Sequence, residues 1–521
     1  MTPTVTPRTG AALLAWALGV YGTLGGLPSQ PAHELHLELT QHALGSLASL
    51  WSAHWDLGHS FAGHPPLLHQ LISLMARLPF ASLERAYAVT ISLIPVALTL
   101  SMGLFVERLD SRRAGDVTAW LTAVNPLAYL FLFPFGQAPF LTATALAMVA
   151  GACWVSANAT RTPLGGAFFA VAAVCTHAAA VVPLAVAGLL ALTSRDANAR
   201  WRLTVVASAI GAAALTFIAL HPFFSSMVGG PLTPSSKLLT AGSKVSALVW
   251  GMVAWSAVVG LGLGGWQGRW LGATVVGLAG LSLTHLSIGV AADKWLWLAA
   301  AFSPALWALA AMHGGEQAPP RTVAAAATVS MLALGIASSY VLGGSSNDGY
   351  GHRNTALREA RMVLEQPGSE AFRYVTLNVG AARFELSRRV RAPSLDSGLP
   401  WVAASALSGT RYLNIDELPL GEASGLAALD GVLSKADSLH LRWVLCGDSR
   451  ATNGLKARGF ELRSAWKGDL TLWERPGATA LSPPTDPPDS RSLAWAVLPM
   501  ASLALGLVLG PWRRREQTAG A

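Results

Sequence analysis

The chain has 521 residues, of which 52% are hydrophobic and only 12% are charged. The charged share is about half that of an average soluble protein, so composition excludes an ordinary soluble globular domain. Repeated apolar runs of roughly 18 to 22 residues have the length that a helix needs to cross a bilayer, and the alternating pattern of a transmembrane barrel is absent. The sequence therefore predicts a polytopic α-helical membrane protein.

The formal net charge of +8 agrees better with membrane topology than with nucleic-acid binding. Arg and Lys gather in short loops between the apolar runs, and they do not form a basic face on a folded domain. We therefore expect no nucleic-acid partner. The three cysteines, Cys153, Cys175 and Cys446, provide no disulfide framework.

About twelve transmembrane helices are predicted. In chain order they lie near residues 11–27, 83–106, 117–133, 138–157, 163–176, 178–192, 203–221, 244–264, 269–289, 295–312, 322–342 and 492–511. The first is expected to be a retained helix, since no convincing cleavage site follows it.

The apolar stretch from Leu164 to Thr193 is interpreted as two short helices that turn at Thr176-His177. This choice puts the basic loops on one side of the membrane, as the positive-inside rule expects. The basic residues on that side are Arg8, Arg108, Arg112, Arg113, Arg161, Arg195, Arg200, Arg202, Arg269, Arg321 and Arg513 to Arg515. Both termini are then cytoplasmic, and the expected location is the bacterial inner (plasma) membrane.

The stretch from Pro28 to Ser82, between the first two spans, is predicted to be an external loop rich in acid-base groups. Seven of the protein's thirteen histidines lie there, together with Glu34, Glu38 and Asp56. Residues 33–42 have a helical pattern that puts Glu34 and Glu38 one turn apart on the same face. Paired carboxylates near a low-dielectric boundary tend to raise one pKa, which suits a general base.

Two alternatives stay open for this pair of glutamates. Glu and His side chains could bind a divalent cation, or the carboxylates could form a solvated face of an interfacial helix. His54, His59, His64 and His69 recur every five residues. Because that spacing fits neither a helical nor a strand face, no dedicated metal site is assigned.

Further polar residues fall on the same predicted external face as the loop 28–82. They are His177, His285, Lys237, Lys244 and Lys294. Ionisable groups in or near a bilayer are expensive and usually mark a path or a site. We therefore expect a shared cavity, the alternative being that the histidines simply occupy the interfacial zone.

Residues 345–490 are predicted to form a small external α/β domain. The expected strands are Arg373–Val379, Arg411–Ile415, Leu441–Cys446 and Leu470–Glu474, with helices at Asn354–Glu365 and Leu426–Lys435 between them. A proline-rich linker, Ser482–Ser490, leads into residues 491–521, which hold the last span and a basic cytoplasmic tail. Residues 1–344 are then the multi-span region that carries the loop 28–82.

The loop resembles the first external loop of GT-C class membrane glycosyltransferases. These enzymes have an acidic residue just after the first span, and Glu34 takes that place here. Trp55-Asp56, Gly63 and Pro65-Pro66-Leu67 then follow in the expected order. Segment Phe135–Pro139, the pair Thr176-His177 and the passage from Arg442 to Glu474 are similar to a bacterial branch identified as pyruvoyl-tetrahydropterin-synthase-related membrane proteins.

The resemblance implies transfer of a sugar from a polyprenyl-phosphate donor in the membrane lipid to a glycan, lipid or protein acceptor on the external face. Glu34 would be the base or hold a cation, with Glu38 or Asp56 as its partner. Lys294, Lys237, Lys244 and His285 would contact the lipid phosphate. The remaining candidates for substrate binding are His33, His36, His64, Gln137 and His177.

Two other functions compete with glycosyl transfer. A coupled transporter or flippase is disfavoured because essentially no charged residue lies near the middle of a predicted span. A non-catalytic GT-C-like scaffold that binds an envelope component or a partner protein stays open, since His33-Glu34 stands where the family usually has Asp, often with a second acid.

Overall fold

The fold is described from a computed structural model. It describes residues 6–24, 31–45, short pieces between 47 and 60, 66–133 except 80, 136–155, 162–193, 199–229, 244–283, 292–313, 350–396 except 381, 404–480 except 411, 413 and 467–469, and 492–510. The chain divides into two compact units. The first contains residues 1–27, 63–345 and 493–521, and the second contains residues 28–62 and 346–492.

The described part of the first unit is helical. Its helices are α1 (Pro7–Leu24), α3 (Leu67–Ala76), α4 (Leu83–Leu109), α5 (Arg112–Ala123), α6 (Pro126–Leu132), α7 (Ala138–Val155), α8 (Thr162–Val174), α9 (Val181–Thr193), α10 (Ala199–Gly229), α11 (Lys244–Leu263), α12 (Gly265–Leu283), α13 (Ala292–Ala301), α14 (Ser303–His313) and α19 (Ser492–Leu509). Several begin at polar caps, since the side chains of Ser82, Ser111 and Asn125 accept hydrogen bonds from the first free backbone N–H groups of α4, α5 and α6.

Close helix packing in the first unit relies on small residues. Helix α4 packs against α1, α5 and α7. At Gly19 of α1, a Cβ atom would lie 2.4 Å from the backbone oxygen of Ser92 in α4. The same helices expose large apolar side chains such as Leu13, Trp16 and Leu93 on their outer faces. Tight internal packing with an apolar exterior is what lipid-embedded helices require.

Three of the described helical segments are long and apolar enough to cross a membrane: Leu83–Leu109, Ala138–Val155 and Leu296–His313. The total of about twelve spans therefore stays a prediction, and the expected span 322–342 lies outside the described residues. The predicted break at His177 is confirmed, because α8 and α9 are separate helices joined by a 3-10 turn at Ala178–Ala180.

Ion pairs join several helix ends of the first unit. Arg8 at the start of α1 pairs with Glu107 near the end of α4 and lies 2.7 Å from Asp116 of α5. His313 at the end of α14 lies 2.7 Å from Asp110. These four helix ends are ones that the positive-inside pattern assigns to the cytoplasm, so the described contacts agree with that grouping.

The second unit contains a four-stranded mixed sheet in the order β3-β4-β6-β5. Its strands are β3 (Arg373–Leu377), β4 (Leu441–Cys446), β5 (Glu461–Ala465) and β6 (Thr471–Glu474), and β3 and β4 are parallel while the other pairs are antiparallel. The helices are α2 (Pro31–Gly45), α15 (Tyr350–Leu364), α16 (Ala382–Arg389), α17 (Ala423–Ser434) and α18 (Thr452–Ala457). Two hydrophobic clusters form the core, one with Val375 and Val444 and the other with Tyr374 and Leu445. Neighbouring strand residues point to opposite faces, so the sheet is buried on both sides.

The predicted strand Arg411–Ile415 is wrong for the residues that the structure describes there, since 412, 414 and 415 are not in a strand. The backbone N–H groups of Ile415 and Asp416 donate to the buried carboxylate of Asp396, at 3.4 and 3.1 Å. The Asp396 carboxylate therefore accepts the backbone hydrogen bonds that a neighbouring strand would otherwise accept. Strand β5 was not predicted, because its side chains are mostly exposed and it lies at the sheet edge.

Residues 28–62, which the sequence assigned to a loop of the membrane region, belong to the same compact unit as the sheet. The short strands β1 (Trp51–Ser52) and β2 (His59–Ser60) pair with each other. Trp55 forms a β-bridge to Ser394, which also bridges Tyr374 of β3. The loop therefore extends the β3 edge of the sheet.

Candidate functional site

Helix α2 carries both glutamates that the sequence proposes as catalytic. It begins at Pro31, where the missing N–H and fixed φ of proline suit a first helical turn. Glu34 lies in that first turn, where the helix dipole favours a negative charge. The predicted helix over 33–42 is confirmed, and α2 packs against α16 of the same unit.

Glu38 is a buried carboxyl group held by two donors. Its Oε1 atom accepts hydrogen bonds from Trp55 Nε1 and from Ser387 Oγ, and the latter residue lies in α16. Its Oε2 atom is buried and has no hydrogen-bond partner among the described residues. Burial raises the pKa of Glu38 to about 8, against the lowering effects of the two donors and of Arg388. At neutral pH Glu38 is therefore mostly the neutral acid.

Glu34 lies one turn away and faces a cation. Its side chain is 2% exposed, and Oε2 is 3.6 Å from the guanidinium of Arg388, which is itself 6% exposed. Burial raises the pKa of Glu34, and Arg388 acts in the opposite direction. The two glutamates contact neighbouring residues of α16, as expected for side chains on one face of α2.

Tyr374 is a further buried polar residue in the part of the sheet near α2. This residue of β3 is fully buried, and its hydroxyl makes no hydrogen bond to another described residue. Burial, followed by the charge of Glu38, raises the pKa of the Tyr374 phenol well above its usual range. The phenol therefore stays neutral and can act only as a hydrogen-bonding group.

The described residues around Glu34 form no ligand set for a divalent cation. No group of three or more His, Cys, Asp or Glu side chains is placed to bind a metal within the described part of the chain. The guanidinium of Arg388 beside Glu34 would repel a metal ion. His33 and His36 of α2 are buried, but the structure brings no third ligand to them among the residues it describes.

The structure describes two of the substrate-binding candidates of the first unit. Gln137 lies between α6 and α7, where its backbone oxygen accepts a hydrogen bond from Leu141 N at 3.1 Å. His177 lies at the turn between α8 and α9, where Nδ1 accepts from Ala179 N at 3.1 Å and the ring meets Phe140 edge-on. The side chain of His177 thus has a structural role in shaping the turn.

The other candidates lie outside the described residues or have side chains outside them. Asp56, His64, Lys237 and His285 belong to the first group. Lys244 and Lys294 lie in α11 and α13, but their side chains are not described. The shared cavity therefore stays a prediction.

Sequence reasoning missed Ser387, Arg388, Tyr374 and Ser394, which surround the two glutamates. Ser387 and Glu38 are 349 residues apart, so no local spacing could pair them. The adjacent Arg388 and Arg389 of the predicted external domain were the available signal, because a buried basic side chain needs an acidic partner.

No protein-family model matches the chain, and no curated protein matches its sequence. Among solved structures, the oligosaccharyltransferase of Archaeoglobus fulgidus in complex with zinc and sulfate is 12% identical, with a TM-score of 0.53 over 87% of this chain and 69% of that one. The same enzyme tethered to an acceptor peptide with an NVT sequon is 11% identical, with a TM-score of 0.50 over 92% and 75%. ArnT from Cupriavidus metallidurans bound to undecaprenyl phosphate is 10% identical with a TM-score of 0.45, over 89% and 97%.

Identities of 10 to 12% do not establish a shared function. The oligosaccharyltransferase likeness covers most of the chain and shows the fold. None of the comparisons identifies the pyruvoyl-tetrahydropterin-synthase-related branch that the sequence resembles. The chain therefore shares a fold with this oligosaccharyltransferase, and it contains a helical unit and a small sheet-containing unit.

Proposed function

We propose that the protein is a membrane glycosyltransferase that moves a sugar from a polyprenyl-phosphate donor to an acceptor on the external face. The observation that carries the proposal is the oligosaccharyltransferase-like fold over 87% of the chain, combined with a buried carboxylate, Glu34, in the helix that follows the first span. The arginine distribution supports an inner-membrane location with both termini in the cytoplasm.

The proposed step is a displacement at the anomeric carbon of the sugar. Glu34 takes the proton of the acceptor hydroxyl while the acceptor oxygen bonds to the anomeric carbon. The bond from that carbon to the phosphate oxygen breaks, and its electron pair leaves with polyprenyl phosphate. Phosphate is a stable leaving group, so the step needs a base and cations near the phosphate but no strong general acid.

Lys237, Lys244, Lys294 and His285 remain the proposed phosphate contacts from the first unit. An ammonium close to a phosphate at a membrane surface is strongly favoured. His33, His36, His64, Gln137 and His177 remain proposed contacts to the sugar or the acceptor. Glu38 and Asp56 remain the proposed partners of Glu34.

The test is transfer by protein reconstituted in liposomes with polyprenyl-phosphate-linked, radiolabelled sugars. Glu34→Gln should abolish movement of label from the lipid to the water-soluble or protein fraction, because the amide cannot take a proton. Protection of the buried Cys446 thiol from alkylation should be unchanged, which shows that the second unit is folded. Glu365→Gln is the matched control, since Glu365 also pairs with an arginine of this unit, Arg361 at 2.8 Å, but its side chain is 34% exposed.

One observation favours a second candidate, a non-catalytic scaffold. Glu34 pairs with Arg388 inside the second unit, as a carboxylate with a purely structural role would. In that case Glu34→Gln lowers Cys446 protection, and the wild-type protein moves no label from any donor tested. Full transfer by Glu34→Gln with an intact fold would remove Glu34 from the mechanism.

A further inference from the structure

Trp55 joins three segments of the second unit. Its side chain is 1% exposed, and its Nε1 atom donates to Glu38 Oε1 in α2 and lies 3.1 Å from Ser387 Oγ in α16. Its backbone forms a β-bridge to Ser394, which also bridges Tyr374 of β3. A buried indole with its N–H paired is a rigid contact. Trp55 therefore helps to fix how α2, α16 and the edge of the sheet face one another.

Glu38 is engaged on the oxygen that faces α16. Oε1 accepts from both Trp55 and Ser387, so the three side chains form a closed set of contacts. Burial raises the pKa of Glu38 to about 8, so the group is mostly neutral at pH 7. A neutral carboxylic acid is a weak proton acceptor. Glu38 is therefore better suited to hold α2 in place than to act as a base.

The contacts of Glu38 also set the position of Glu34. An α-helix has 3.6 residues per turn, so a slip of one residue would rotate its face by about 100°. Glu34 and Glu38 are one turn apart on the same face of α2, while Ser387 and Arg388 are neighbours in α16. With Glu38 fixed on Ser387, Glu34 Oε2 comes to lie 3.6 Å from Arg388. The hydrogen bonds of one carboxyl group thus place the other.

We propose that Trp55 and Glu38 form a positioning pair, which docks α2 on α16 and thereby holds the Glu34 carboxylate in a fixed place. The importance of Glu34 rests on the proposed function, whereas the docking does not. Trp55 supplies the N–H and Glu38 the acceptor, and neither contacts the reacting atoms. An amide at position 38 can then replace the acid, because it still accepts both hydrogen bonds, but an amide at position 34 cannot.

Steady-state kinetics of sugar transfer by the full-length protein in liposomes separate positioning from chemistry. Trp55→Phe keeps an aromatic ring and loses the N–H, while Glu38→Leu keeps a similar bulk and loses the acceptor. Both should lower kcat by about tenfold to a hundredfold with little change in KM, because a misplaced base slows the chemical step. Glu38→Gln should recover most of the activity that Glu38→Leu loses.

Trp466 provides a matched control for the loss of an indole N–H. Its Nε1 atom donates to Glu359 Oε2 of α15 at 2.6 Å, so it forms the same kind of indole–carboxyl pair in the same unit. Neither residue lies in α2 or α16. Trp466→Phe should therefore leave kcat and KM unchanged.

A second measurement needs no transferase activity. Carbodiimide-driven amidation with glycine ethyl ester, located by mass spectrometry, reports which carboxyl groups the reagents reach. Glu34 is 2% exposed and should react slowly in the wild type. It should react about tenfold faster in Trp55→Phe and Glu38→Leu, since the loss of one or two hydrogen bonds favours local opening of α2. Asp416, also 2% exposed and held by two backbone N–H groups, should stay protected.

Faster labelling of Glu34 in both variants, with Asp416 protected and with slow labelling in Glu38→Gln and Trp466→Phe, supports the positioning pair. Unchanged labelling of Glu34 overturns it. Joint labelling of Glu34 and Asp416 also overturns it, because the two residues would then support the whole unit and not α2. Loss of transfer by Glu38→Gln while Glu34 stays protected would show that Glu38 takes part in the chemistry.

The two measurements also separate this inference from the proposed function. The expected labelling without sugar transfer by the wild type would leave the positioning pair standing and refute the transferase. Transfer that Trp55→Phe and Glu38→Leu perform as well as the wild type would leave the transferase standing and refute the pair.

Discussion

Glu38 shows how a single buried carboxyl group can make a folded unit sensitive to pH. Its pKa is raised from 4.5 to about 8 by burial, so the folded protein holds a proton that the unfolded chain releases. Stability is then fully present below about pH 4.5 and falls as pH rises toward 8. The size of the fall is at most about 5 kcal/mol over about 3.5 pH units, at about 1.4 kcal/mol for each unit.

Glu38→Gln should flatten this dependence, because an amide can accept the hydrogen bonds of Trp55 and Ser387 without ionising. The measurement is the rate of Cys446 alkylation in native protein between pH 5 and 9. Cys446 lies in the core of the second unit, and burial raises its pKa to about 11. The intrinsic thiol reactivity also changes with pH, so the two proteins are compared at each pH. Parallel curves for both would show that Glu38 is not the titrating group.

The candidate site was only half predictable at this scale. The helical spacing of Glu34 and Glu38 placed both on one face of α2, and the structure confirms it through their contacts with Arg388 and Ser387. Their partners could not be predicted, because charge and hydroxyl groups 349 residues away leave no local pattern. Only tertiary packing decides which arginine lies beside a given buried acid.

At the scale of elements, the helices of the first unit follow rules that are legible in the sequence. The break at His177 and the apolar runs that form α4 and α7 lie close to their predicted places. The predicted span 117–133 is instead divided into α5 and α6, because Asn125 caps a new helix that begins at Pro126. The close approach of α1 to α4 was not predicted, since a glycine within an apolar run does not reveal which helix it faces. In the structure, Gly19 meets the backbone oxygen of Ser92.

Gly19→Ala should therefore destabilise the protein, although alanine is the better helix former. The new Cβ would lie 2.4 Å from a backbone oxygen that cannot move aside as a flexible side chain does. The expected result is a lower thermal midpoint in detergent, by a few degrees, which corresponds to about 1 to 3 kcal/mol of overpacking.

Gly188→Ala in α9 is the matched control, because nothing lies within 4 Å of its added Cβ. That substitution should be neutral or slightly stabilising, since it gains helix propensity without a clash. Equal midpoints for the two variants would show that α1 does not pack on α4 through Gly19.

At the scale of the whole molecule, the proposed function requires the second unit, which carries Glu34, to lie on the external side of the membrane. Helix ends that the arginine pattern assigns to the cytoplasm are in contact, as Asp110 and His313 show. Contacts also join ends that the same pattern assigns to the outside, since Leu67 N donates to the Cys175 oxygen at 3.0 Å. An even number of crossings between α1 and residue 345 would then put the second unit outside.

A topology reporter tests this expectation. Alkaline phosphatase, which is active outside the cytoplasm, should be active when fused after Asn347, a position outside the described residues. The same reporter fused after residue 197, between α9 and α10, should be inactive. Activity only at the second position would invert the assignment and separate Glu34 from an external acceptor.

The sequence alone determined the membrane character of this protein, most of its helices and three of the four strands of the main sheet. Each of these follows from hydrophobic runs, caps and breaks within a few turns of chain. Only the tertiary structure decided that residues 28–62 belong to the same unit as the sheet and that α2 turns its acids toward α16. Burial and charge pairing arise between segments more than 300 residues apart, and no local sequence pattern predicts such contacts.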